Sequence, residues 1–207
     1  MLKNLLYAIL LGTGMAACLS QQDNENTEAA ETTAAETTTT DAAPEEEAPA
    51  PDPANFVVAK GRVGSIAVGE PIEEMRQNTP AGFSIADTTL MQEGQQYTAY
   101  LLHPQNTGKG VLVEQQCTPE CQVWRIQVQH PDFKTPKGIG VGSKFSEVQQ
   151  NYAITNVTFE EGNLVAIARD AGMSFMLDAS QIPAAQLPRL NAGTVPANTL
   201  VESILVY

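Results

Sequence analysis

The tract from residue 19 to residue 53, LSQQDNENTEAAETTAAETTTTDAAPEEEAPAPDP, most constrains what this chain can fold into. It is made of Thr, Ala, Glu, Gln, Asn and Pro, with almost no bulky apolar side chain after Leu19. Such a segment cannot bury enough surface to offset the conformational entropy of ordering it. Its Ala and Glu content would favour a helix, but the threonine runs and Pro44, Pro49, Pro51 and Pro53 oppose one. Ten of the chain's 24 acidic residues fall here, with no Lys or Arg. The tract therefore reads as a self-repelling spacer. Its span is roughly 30–35 Å as a flexible chain and about 115–125 Å at full extension. Folding is left to residues 54–207, enough for a single core.

The spacer also accounts for the charge. The formal net charge is −13, yet outside residues 19–53 fourteen acids face eleven bases, one of them Lys3. No basic patch is present to draw nucleic acid or anionic lipid.

The residues before the spacer have the layout of a signal peptide. Lys3 gives a positive start, Leu5 to Leu11 a short apolar core, and Gly12, Gly14, Ala16 and Ala17 the small residues near a cleavage point. The apolar run is too short to span a bilayer. Met15-Ala16-Ala17-Cys18 resembles the lipobox of bacterial lipoproteins. That resemblance implies removal of residues 1–17 and acylation of the Cys18 thiol, anchoring the chain to a lipid bilayer. Two or three acyl chains hold a protein firmly where one does not. Leu19 stands where an Asp would retain such lipoproteins at the inner membrane, so the resemblance implies the outer membrane. Ser20 to Glu25 is similar to the short export signal of surface lipoproteins in the Bacteroidota, which implies display at the cell surface as the alternative to a periplasmic orientation.

Within the remaining chain, Ser65 to Met75 aligns with Gly138 to Val148. Ile66, Val68, Gly69 and Glu74 match Ile139, Val141, Gly142 and Glu147. Each copy reads as a short I-x-V strand, a glycine turn and a helix, with Pro71 at the first helical position of one and Ser143 as N-cap of the other. The helices are expected over 71–78 and 144–151, with Ile72 and Met75, and Phe145, Val148 and Tyr152, at helical spacing. Strands are expected over 96–103, 110–116 and 122–129, then over 154–160, 164–169, 172–178 and 200–207. In the third of these, Trp124, Ile126 and Val128 alternate with Arg125, Gln127 and Gln129. Each half closes on an I-x-V strand, Ile126-Gln127-Val128 and Ile204-Leu205-Val206. The expectation is one α+β domain, mainly antiparallel sheet with one short helix per half, arranged as tandem half-repeats over 63–136 and 137–207. The stretch Gly140 to Val148 also resembles a turn-into-helix signature of small envelope lipoproteins, including the accessory module of the outer-membrane protein assembly machinery.

Cys117 and Cys121 flank Thr118-Pro119-Glu120 between two expected strands, and a disulfide there would staple a hairpin. The spacing suits neither a redox dithiol nor half of a zinc site. The two histidines, His103 and His130, each end a strand and precede a proline. If both strands reach the same rim, they could meet there with Asp132 in a metal or proton-transfer site. No G-x-S-x-G or S-x-x-K motif is present, and the glycines at 138, 140 and 142 lack the last position of a nucleotide-binding fingerprint. The expectation is therefore a non-catalytic, lipid-anchored envelope protein without cofactor, binding another envelope protein or a surface polymer. The alternatives are a metal-dependent hydrolase at His103, His130 and Asp132, and an enzyme inhibitor presenting the Cys117–Cys121 loop.

Overall fold

A computed structural model describes residues 52–92, 94–104 and 108–207. The signal segment 1–17, Cys18 and nearly all of the spacer lie outside the described residues. The described fold takes in Pro53, the last residue of the expected spacer: Pro53–Phe56 form a 3₁₀ turn whose Ala54 N–H donates to the Asp52 carboxylate at 2.9 Å.

Eleven strands and two α-helices are described. Strands β1 (Val58–Ala59), β2 (Arg62–Val63) and β3 (Ile66–Ala67) form a small antiparallel sheet, followed by α1 (Ile72–Gln77). Four strands then run as a meander: β4 (Phe83–Gln92), β5 (Gln95–Pro104), β6 (Val111–Cys117) and β7 (Cys121–Val128). After α2 (Phe145–Asn151) comes a second meander of β8 (Asn156–Glu160), β9 (Asn163–Ala168), β10 (Met173–Leu177) and β11 (Val201–Val206). The two meanders form one eight-stranded antiparallel sheet in the order β4-β5-β6-β7-β11-β10-β9-β8. They join through their last strands, the two I-x-V segments, with Ile204 opposite Val128 and Val206 opposite Ile126.

The fold is thus α+β with mainly antiparallel sheet, and the helices fall within a residue of their expected places. The aligned segments make equivalent bonds. Gly69 N–H donates to the Val123 carbonyl and Gly142 N–H to that of Val201, each at 2.8 Å; Val123 and Val201 return bonds to the carbonyls of Glu70 and Ser143. Both glycines have positive φ, +88° and +85°. That conformation is open to glycine at little cost, and it turns the chain into each helix; the expected strand before it forms as β3 in the first copy, but over 139–141 it is reduced to an isolated bridge between Lys134 and Gly140.

Three local expectations need correction. Pro71 caps α1 instead of being its first residue, and Lys144 rather than Ser143 caps α2. At α2 the Glu147 carboxylate bonds the Lys144 N–H at 2.7 Å, while Ser143 Oγ accepts from Gly140 N–H at 3.1 Å and holds the turn. Trp124 does not alternate into the core. The register slips between Glu114 and Gln115, an extra residue that puts Val123 inside and leaves Trp124 43% exposed. Strand β4 was not expected at all, because Ser84-Ile85-Ala86-Asp87-Thr88 interrupts its apolar alternation with a charge.

One face of the large sheet carries Leu102, Val111, Val113, Ile126, Val128, Ile204, Val206, Phe175 and Leu164, all buried. The helices cover this face with Ile72 and Met75 from α1 and Phe145 and Val148 from α2. The Pro-rich segment after β10 adds Ile182, Leu187 and Val195 to the same core, and its Ala197 carbonyl accepts from Ser146 N–H at 3.0 Å. It is a lid on the core rather than a free loop. Truncating Phe145, which is fully buried, to Ala should cost about 3–5 kcal/mol in denaturant melts.

Gly110 stands before β6, where a Cβ would fall on the Leu102 carbonyl oxygen and the His103 backbone, whereas one at Gly108 would meet nothing within 4 Å. Gly110→Ala should therefore lower stability by about 1–3 kcal/mol while Gly108→Ala leaves it nearly unchanged, measured by urea unfolding. Burial raises the Glu70 carboxyl above its ordinary value, against the lowering effect of a hydrogen bond from Ala67. A carboxyl raised in the folded state adds stability that is fully present below its unfolded value and lost as pH climbs through the folded one. Glu70→Gln cannot ionise, so its Tm should exceed that of the parent at pH 7, with the gap closing at pH 4.

Candidate functional site

No described helix lies over the opposite face of the large sheet, which is composed of the strands' second set of alternate residues. Leu101, Leu112, Val165, Ile167, Met176 and Leu205 lie there half-buried. Their cross-strand register sets Leu101 beside Leu112, Leu112 beside Gln127, and Leu205 beside Gln127 and Ser174. The hairpin ends of β4–β5 and β8–β9 sit at diagonally opposite corners. Both line one open cleft of about 440 Å³: Leu90 and Tyr97 come from the first, Glu160 and Asn163 from the second. The right-handed twist of a wide sheet curls such corners toward each other.

The floor of the cleft is polar and fully bonded. Glu114 is almost completely buried; both its carboxylate oxygens accept from Arg125, Nε at 2.7 Å and Nη2 at 2.8 Å. This bidentate geometry is the strong form of the pair. The Arg125 guanidinium also lies 4.2 Å from the centre of the Trp124 ring, a cation–π contact. Next along, Gln127 Nε2 donates to Ser203 Oγ at 3.0 Å and Gln129 Nε2 to Gln127 Oε1 at 3.3 Å. Among the described residues no buried side-chain nitrogen or oxygen lacks a partner. The cleft is therefore a pre-ordered surface of half-exposed apolar side chains around a fixed polar strip, suited to binding.

Cys117 and Cys121 are bonded to each other across the β6–β7 hairpin, and the loop they close is exposed. The two histidines do end at the same rim, but β6 stands between their strands: Leu102 pairs with Val111, and Val111 with Val128. His103 lies beside Ser84 of β4, whose Oγ is 3.2 Å from both ring nitrogens. A hydroxyl equidistant from both lies on neither lone-pair axis, so the pair lacks the alignment of nucleophile and base. The buried His130 packs its ring against Phe133, and its Nδ1 accepts from the Asp132 N–H at 3.3 Å, with the Asp132 carboxylate 3.8 Å away. It closes a turn. No three His, Cys, Asp or Glu side chains among the described residues gather to hold a metal, and no described helix is long and apolar enough to cross a membrane. The sequence carries one signal for the cleft: Glu114 interrupts the apolar run of β6, and Arg125 sits at the matching position of β7.

No family profile matches the chain, and no curated protein does. The fold is similar to the crystal structure of the uncharacterized protein yfeY from Escherichia coli. The TM-score is 0.53 and the identity 17%, covering 72% of this chain and 97% of that one. At that identity the likeness speaks for the fold alone.

Removing one partner of the ion pair strands the other. Arg125→Ala should cost about 3 kcal/mol by leaving the buried Glu114 charge without a partner. Replacing both residues together, Glu114→Leu with Arg125→Leu, should restore most of that stability in thermal melts.

Proposed function

We propose that this protein is a lipid-anchored component of the bacterial cell envelope whose folded domain binds another envelope protein or a surface polymer through the open face of its eight-stranded sheet, without catalysis. The supporting observation is that face itself: half-buried apolar side chains around the Glu114–Arg125 pair, with no element of the described chain laid over them. Apolar side chains left partly open to solvent and rimmed by polar residues are a recurring feature of interaction sites. The lipobox-like Met15-Ala16-Ala17-Cys18 and the acidic spacer supply the reading of address: an acylated Cys18 in the outer membrane, with the domain held clear of the headgroups on its tether. The equivalent turns at Gly69 and Gly142 support, as a further proposal, descent of the two halves from a duplicated strand–helix–meander unit.

Mass spectrometry of the mature chain should find residues 1–17 removed and a diacylglycerol on Cys18; an unmodified thiol there would count against the anchor. Binding is tested separately. A photoreactive residue at Leu205 in the full chain, expressed in a diderm bacterial envelope, should yield a covalent adduct that the same residue at the exposed Glu73 does not. Equal labelling at both positions would remove the reason for choosing this face. A second reading has its own support. The Cys117–Cys121 loop is exposed, disulfide-closed and near the exposed Trp124, as an inhibitor loop would be. Replacing Thr118 to Glu120 with glycines should leave the Leu205 adduct intact, and its loss would favour the loop.

A further inference from the structure

We propose that the outer edge of β4 is the interface of a symmetric homodimer, in which β4 pairs antiparallel with β4 of a second copy of this chain, centred on Thr88. Sheet edges present unpaired backbone groups, and proteins commonly guard them with Pro, Lys, bulges, short strands or a covering segment. The β8 edge is guarded: it is five residues long, carries Glu160 and is flanked by the 3₁₀ turn Leu187–Arg189. The β4 edge has one such device, the charge of Asp87, and no Pro, Lys, bulge or covering strand of the described chain. It runs ten residues in unbroken register with β5, from Phe83 opposite Pro104 to Gln92 opposite Gln95, with no bulge. It contains no Pro and no Lys. Its one charge, Asp87, is held by Arg76 of α1 at 2.5 Å. Beyond Phe83, no described backbone group outside β5 bonds to this strand.

The occupant is argued from the strand's own chemistry. An antiparallel pair across a dyad perpendicular to the sheet must be centred on a residue, since directly opposed side chains share a face. Centred on Thr88, threonine faces threonine, Asp87 faces the second copy's Thr89, Ala86 faces its Leu90 and Ile85 faces its Met91. Apolar meets apolar, and no like charges are opposed. Centred on Asp87, two carboxylates would stand opposite each other, which destabilises the pairing. Centred on Thr89, Asp87 would face Met91. The Thr88 register also gives a partner to Met91, 63% exposed in the isolated chain. The chain already uses the same operation internally, where the closing strands of its two meanders, β7 and β11, meet antiparallel. The dimer would extend the sheet and keep both clefts on one side.

The dimer rests on the strand edge and not on the lipid anchor, so it is tested in the detergent-solubilised full chain under mild copper-catalysed oxidation. Thr88→Cys should give a shift to twice the monomer mass on a non-reducing gel, reversed by dithiothreitol and well above any in the parent chain. Ala86→Cys should not, because its opposite residue is Leu90, whereas Ala86→Cys combined with Leu90→Cys should cross-link again. A Thr88→Cys chain that stays monomeric, an Ala86→Cys chain that cross-links equally well, or an adduct of another mass would each overturn the proposal. Sedimentation gives a second measure free of cysteine chemistry. Thr88→Lys and Thr88→Glu should each be monomeric alone and dimeric when mixed, and a persistent dimer in either variant alone would overturn it too.

Discussion

The pairing of β7 with β11 is the interaction on which the rest of the structure depends. Each four-stranded meander alone has a single short helix to cover its apolar face. Joined through Ile126, Val128, Ile204 and Val206, the two make one surface broad enough to bury both helices, the small sheet and the Pro-rich segment in a shared core. Removal of apolar area from water is the dominant favourable term in folding, and only the joined sheet offers that area contiguously.

The same joint explains why there is an open face. A sheet eight strands wide twists and curls. The curl brings the hairpin ends of β4–β5 and β8–β9 to the borders of one cleft. Both helices and the segment between β10 and β11 are spent on the buried side, so the concave side keeps its half-exposed leucines. A charged pair can sit at its floor because two strands place Glu114 and Arg125 in direct register and both carboxylate oxygens are used. A buried pair of this kind is weak evidence for net stability; it lies one step before the bulge that expels Trp124.

The histidines illustrate how far spacing along a chain falls short of a site. Equivalent strand-end positions did put both at one rim, as alternate strands of a meander must. They did not put the rings together, because the intervening strand separates alternate strands by about 10 Å. His130 was then taken up by its own turn, and His103 by Ser84 on a strand whose existence the apolar pattern did not announce.

By itself, the sequence determined most of the strands, the glycine turns into both helices and the disulfide hairpin. Each of these is governed by local preferences or by composition, which neighbouring residues carry in full. Tertiary structure alone decided that the two I-x-V strands pair with each other, that β4 completes one edge, that a bulge turns Trp124 outward, and which side of the sheet stays open. Those outcomes depend on contacts between segments far apart in the chain, such as Ile126 opposite Val206 across the β7–β11 joint. The free energy of such contacts belongs to the assembled core and is not written in any one stretch of chain.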